Sequence, residues 1–263
     1  MLHSITRGSF VLSALALCVS SAASAATSSE TPHKTSKEET LVVTANRSES
    51  SLWNSPATIQ VIDHQTLQNS TSTSIADDLQ DIPGVEITDN ALAGRKQIRI
   101  RGEASSRVLI LIDGQEVTYQ RAGQNYGAGL LIDESALERI EVVKGPYSVL
   151  YGSQAIGGVV NFITKKGGDK PLAGTVKAVY NSATAGWEES AAAWGSIGQF
   201  DYRINGSYSD QGDRDTPDGR LPNTHFRNNS QGIWLGYNLD NQHFGLSLDR
   251  YKLSTQTYYE APD

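Results

Sequence analysis

The side chains of this 263-residue chain that could do chemistry are charged and aromatic rather than nucleophilic. Its Ser, His and Asp residues are scattered, and Tyr151-Gly-Ser-Gln-Ala155 lacks the second glycine of a nucleophile elbow. Gly127-Ala-Gly129 is followed by Ile132 where a dinucleotide fingerprint needs glycine, and no glycine loop leads into Lys-Ser/Thr. Two stretches instead gather cations and aromatics: Asp89 to Gln97 with Arg95 and Lys96, and Tyr119 to Gly129 with Arg121 and Tyr126. Such a set suits a large anionic, aromatic ligand through charge pairing and stacking. A different chemistry belongs to Glu39-Thr40-Leu41-Val42-Val43-Thr44-Ala45, a β-prone segment between polar flanks. It can add as a strand to the edge of a partner's sheet, or serve as an edge strand of its own domain. An enzyme, a metal site and a cofactor are not expected.

Composition narrows the setting. Arg7, an apolar run from Phe10 to Val19 and the Ala23-Ser24-Ala25 pattern read as a secretory signal peptide over residues 1–25. The apolar run is too short to span a membrane as a helix. Leu17 is too large to make Cys18 a lipoprotein cysteine. Cleavage removes Arg7 and no acid, so the formal net charge moves from −7 to −8. An acidic mature chain has no basic face for phosphates, which argues against nucleic acid as a partner. Cys18 is the single cysteine, so the mature chain has no disulfide, cysteine-ligated metal or thiol nucleophile.

The elements that must position these residues fall into two regimes. Residues 26–38 are polar and without period, a flexible leader. Residues 46–166 read as an α/β unit, with strands expected at Thr58–Ile62, Val85–Ile87, Ile98–Ile100, Val108–Ile112 and Ile140–Val143. A capping box at Ser74–Asp77 predicts a helix with Ile75, Leu79 and Ile82 on one face, stopped by Pro83-Gly84. Asp133 is expected to cap a short helix with Leu137 and Ile140 inward. Asp113-Gly114 turns the chain back, and Gly157-Gly158 lets it re-enter a strand. From residue 172 the rhythm changes to strands of about ten residues. Phe200, Tyr202, Ile204 and Tyr208 share one face, and Asp201, Arg203, Asn205 and Ser207 share the other. Ile233, Leu235, Tyr237, Leu239 and then Phe244, Leu246, Leu248 repeat the pattern, as in a transmembrane β-barrel. Trp194, Trp234, Tyr208 and Tyr237, near strand ends, suit aromatic girdles. The short turn Gly198-Gln199 against the long polar loop Asp210–Asn228 fits periplasmic turns and extracellular loops.

Residues 138–164, from Glu138-Arg-Ile-Glu-Val-Val-Lys-Gly-Pro to Gly-Gly-Val-Val-Asn-Phe-Ile-Thr164, closely resemble the plug-domain signature of TonB-dependent outer-membrane receptors. Asp81-Ile-Pro-Gly-Val85, Arg99-Ile-Arg-Gly102 and Arg107-Val-Leu-Ile-Leu-Ile-Asp-Gly114 resemble further plug blocks, and residues 39–45 match the TonB box in sequence and position. Lys144 stands where the family usually has arginine, losing its bidentate geometry. The resemblance implies an α+β plug domain followed by the first antiparallel strands of a transmembrane β-barrel, in the cell outer membrane. It implies that TonB binds residues 39–45 and pulls on the plug, and that Arg99, Arg101, Arg107, Glu138, Arg139 and Glu141 hold the plug to the barrel wall. Arg95, Lys96, Tyr119, Arg121 and Tyr126 would meet the ligand. Among family members the likeness is to ferric-siderophore and colicin receptors of the catecholate type. Haem is the alternative cargo, although His64, His225 and His243 show no motif that would place an axial ligand. A closed wall around a plug takes about 22 strands. Residues 172–263 are expected to supply about five, as a fragment with part of a barrel. A plug-only periplasmic product is the alternative.

Overall fold

Strand parity and a few glycines decide the architecture. The computed structural model describes residues 41–42, 50–51, 59–89, 96–116, 120–121, 124–125, 132–145 and 155–256. The signal peptide, the leader, most of the box and residues 146–154 lie outside the described residues. Leu41–Val42 is a short strand paired antiparallel with Ser50–Ser51.

The plug is built on β1 (Ile59–Asp63), β2 (Val85–Asp89), β3 (Lys96–Ile100), β4 (Val108–Ile112), β5 (Leu137–Lys144) and β6 (Gly158–Thr164). Its main sheet has the order β1-β5-β6-β4, extended by Gln115–Glu116. Only the β6–β4 pairing is parallel, and β2 and β3 form a separate hairpin. β6 is buried along almost its whole length, as its continuous apolar run requires of a strand covered on both faces. On one face Leu79, Ile100, Leu137, Ile140 and Phe162 make the larger core; on the other Leu109, Leu111, Val143 and Val159 make a smaller one. The turn Asp113-Gly114 is fastened to β6: Asp113 accepts from the Thr164 amide and hydroxyl at 3.0 and 2.7 Å, and Asn161 accepts from the Gly114 amide at 3.1 Å.

Gly158 starts β6 at φ +153°, and a Cβ there would lie 2.5 Å from the Val143 carbonyl oxygen. We expect Gly158→Ala to cost about 3 kcal/mol of plug stability through backbone strain and overpacking. Urea unfolding followed through protection of the β5–β6 amides measures it.

Three local expectations are corrected. The segment after Ser74 forms only the 3₁₀ turn Asp77–Leu79, and that after Asp133 only the 3₁₀ turn Glu134–Ala136. Leu137 and Ile140 are fully buried, but as residues of β5. Among the described residues the plug's α-helix is instead α1 (His64–Asn69), capped by Asp63 accepting from the Thr66 amide at 2.8 Å.

The wall is a five-strand antiparallel meander: β7 (Ala173–Asn181), β8 (Gly186–Ile197), β9 (Phe200–Gln211), β10 (Phe226–Leu239) and β11 (Gln242–Thr255). Registered rows such as Ala193–Ile204–Ile233–Leu248 carry one face across four strands. Val176, Ile204, Ile233, Leu235, Leu246 and Leu248 leave that face exposed and apolar, which suits acyl chains. Tyr180 and Trp187 meet at 5.0 Å near one rim, and Phe200 and Tyr237 at 4.8 Å near the other. Trp194 and Trp234 do not join these belts. Each is the cross-strand partner of Arg203, on the opposite, polar face. Among the described residues no helix is long and apolar enough to cross a membrane.

Candidate functional site

The polar face of the wall meets the plug at the 3₁₀ turn that Asp133 caps. Alternation along β9 turns Arg203 and Asn205 to this face, where they are 1% and 4% exposed. Asn205 donates from Nδ2 to Asp133 Oδ2 at 2.8 Å, while Asp133 Oδ1 accepts from the Ser135 amide at 3.0 Å. Next to it, Lys177 of β7 reaches Glu134 at 2.9 Å and donates to the Leu67 carbonyl of α1 at 3.2 Å. Arg203 divides its donors among Asn205 Oδ1 at 3.0 Å, the Lys165 carbonyl at 3.2 Å and Asp249 at 3.2 Å. Trp194 is gripped from two sides. The His64 ring stands edge-on at 5.6 Å, and the Lys165 ammonium lies 4.4 Å from the indole centroid while donating to the Ser135 carbonyl.

Taking these groups out of water shifts them. Burial pushes the Glu134 carboxyl up to about 7, against the pull of Lys177. Burial, then Arg203, brings the Lys165 ammonium down to about 8. Burial, then Lys165, lowers His64. The seam is therefore a set of desolvated charges whose value depends on staying paired.

Beside it lies a cavity of about 640 Å³. Ile112, Asp113, Gln115, Glu116 and Thr164 of the plug face Arg203, Trp234, His243 and Asp249 of the wall across it. His243 stacks on Trp234 at 5.9 Å, and His225 binds Asp210 at 3.1 Å. Among the described residues no three His, Cys, Asp or Glu side chains are grouped to hold a metal ion.

Arg99 pairs with Glu86 at 3.8 Å, Arg107 with Glu103 at 3.4 Å, and Arg139 with Glu138 and Glu141 at 3.0 and 2.9 Å, all within the plug. Arg101 is exposed at φ +54°. Asp133, Glu134, Lys165, His64 and Leu67 contact these five strands. Lys96 is 2.6 Å from Asp77 inside the plug. Arg121 lies on the short strand Gln120–Arg121, paired with Gln124–Asn125. Arg95, Tyr119 and Tyr126 are outside the described residues, as are Glu39, Thr40, Val43, Thr44 and Ala45. The signal for the seam was present in sequence, since Arg203 and Asn205 sit on the polar side of an otherwise aromatic strand.

Residues 51–159 match the family model of the TonB-dependent receptor plug domain. The chain is 69% identical over 102 residues to Protein YoeA of Escherichia coli K12, covering 39% of this chain and 78% of that protein. It is 41% identical over 137 residues to the iron-regulated outer membrane virulence protein of Vibrio cholerae, covering 50% and 21%. It is 31% identical over 233 residues to the hemin receptor of Yersinia enterocolitica, covering 84% and 33%. The chain thus spans a third or less of the length of the last two. Among solved structures it superimposes on the ferric enterobactin receptor PfeA of Pseudomonas aeruginosa with a TM-score of 0.58 at 25% identity, covering 74% of this chain and 33% of that one. A plug sheet, a polar seam and a wall with an apolar outer face, in this order, make the chain a member of the TonB-dependent receptors of the outer membrane, carrying their plug domain and part of their β-barrel.

Proposed function

We propose that the protein takes up a ferric siderophore of the catecholate class across the outer membrane, using energy transduced by TonB through residues 39–45. The observation that carries this reading is the plug seated on the polar face of the wall. In a complete receptor, side chains buried and paired as at this seam would hold the plug in the lumen until work is done on it, so passage would need an external source of energy. Leu41–Val42, a short strand paired antiparallel with Ser50–Ser51, would supply the handle for strand addition once it is drawn off that partner. The catecholate assignment draws on the likeness to PfeA, which binds ferric enterobactin, and on the cation-and-aromatic composition of residues 89–97 and 119–129. Arg99, Arg101, Arg107, Glu138, Arg139 and Glu141 are proposed to meet the wall away from these five strands.

Haem is a second reading, because the Yersinia relative is a hemin receptor and matches most of this chain. Uptake of radiolabelled iron by cells that depend on this protein separates the two. We expect saturable uptake of a ferric tris-catecholate that needs TonB and that excess hemin does not compete away. Growth on hemin as iron source, with no tris-catecholate uptake, would replace the siderophore by haem.

A further inference from the structure

The connection between plug and wall is exposed at Lys166 and over residues 168–171 but pinned at Lys165, Gly168, Lys170 and Pro171. The Lys165 side chain is 3% exposed, and its amide donates to the Ala136 carbonyl at 2.9 Å. Its carbonyl accepts from Arg203, and its ammonium covers Trp194. Beyond it, the Gly168 amide donates to Ser196 Oγ at 3.1 Å, and the Ser196 amide donates to the Lys170 carbonyl at 3.1 Å. The Tyr202 hydroxyl donates to the Pro171 carbonyl at 2.8 Å. The fit leaves no slack: a Cβ on Gly195 would lie 2.2 Å from the Pro171 oxygen, and one on Gly167, at φ +104°, would lie 2.8 Å from Ser196 Oγ. A hinge between two moving bodies needs free backbone and room to turn. At these pinned positions the segment has neither.

We propose that residues 165–171 are the fixed anchor of the plug, positioned on β8 and β9 by Arg203 and Trp194, so that opening displaces plug residues before 165 while the anchor stays on the wall. The anchor is a property of the resting protein. Its part in opening rests on the transport reading.

Hydrogen exchange on the membrane-inserted protein tests both. At rest, the amides of Lys165 and Gly168 are expected to exchange at least ten-fold more slowly than the Asp218 amide of the exposed turn at 217–218. Arg203→Gln is expected to erase that protection while the β10–β11 amides keep theirs, and Arg203→Lys to retain part of it. Ser196→Ala, which removes the acceptor for the Gly168 amide together with the hydroxyl donated to Asp201, is expected to speed exchange locally at 168. Resting exchange at Lys165 and Gly168 as fast as at Asp218, or an Arg203→Gln protein with unchanged protection there, would overturn the anchor. With TonB energised, exchange is expected to rise in residues 59–89 and stay constant in 165–171. A rise in both counts against the anchor; a rise in neither counts against energised transport and leaves the resting protection to decide the anchor.

Discussion

Replacing Glu134 with lysine is expected to unseat the plug. The carboxylate lies 2.9 Å from the Lys177 ammonium, and both side chains are largely buried at the seam, 15% and 9% exposed. A second ammonium in that place leaves two desolvated like charges and breaks the contact of the Glu134–Ala136 turn with β7, a loss of about 3–5 kcal/mol. Cells carrying Glu134→Lys are expected to become sensitive to large hydrophilic antibiotics, and residues 132–145 to lose protection from protease. A variant as impermeable and as protected as the wild type would mean that Glu134 contributes nothing to seating.

The neutral substitution Glu134→Gln gives the complementary result through pH. The carboxyl is raised from 4.5 to about 7 in the seated plug, so the seated form holds its proton where the released form has lost it. This contribution to seating is complete below pH 4.5 and is lost as pH rises to about 7, by at most ~3 kcal/mol. His64 acts in the opposite sense: lowered from 6.5, it favours release as pH falls below that value. Comparing wild type with Glu134→Gln between pH 4.5 and 7.5 isolates the carboxyl. Protection of the wild-type plug relative to the variant is expected to decline as pH rises. Parallel profiles would remove Glu134 as their cause.

Much of this arrangement could be read from residue order. The alternation of Phe200, Tyr202 and Ile204 with Asp201, Arg203 and Asn205 assigned both faces of β9 correctly, because a strand buried on one side admits no one-residue slip. The same parity places the two misassigned tryptophans. Trp234 lies between Ile233 and Leu235, which face outward, and Trp194 is seven residues from the outward Trp187. Proximity to a strand end suggested a girdle where parity excluded it. α1 was not legible because His-Gln-Thr-Leu-Gln-Asn offers only Leu67 to the core, and tertiary packing with the Asp63 cap stabilises it rather than an apolar stripe. The seam was half legible. Asp133 appeared as a cap, which it is, but its second oxygen serves Asn205, 72 residues away, and no local pattern reports such a pairing.

The central claim is that residues 39–45 transmit work to a plug that the wall otherwise holds shut. If this segment pairs with TonB as an added strand, affinity resides mainly in backbone hydrogen bonds, so Val42→Ala should be mild. Val42→Pro deletes a donor and fixes φ, which breaks a strand ladder. The decisive measurement compares surface binding and energised uptake of the labelled ferric chelate on the same cells carrying Val42→Pro in the complete receptor. We expect full binding with uptake reduced to the level of cells lacking TonB. Normal uptake with proline at position 42 would contradict the account, reducing the segment to an edge strand, and joint loss of binding and uptake would show that it supports the plug fold instead.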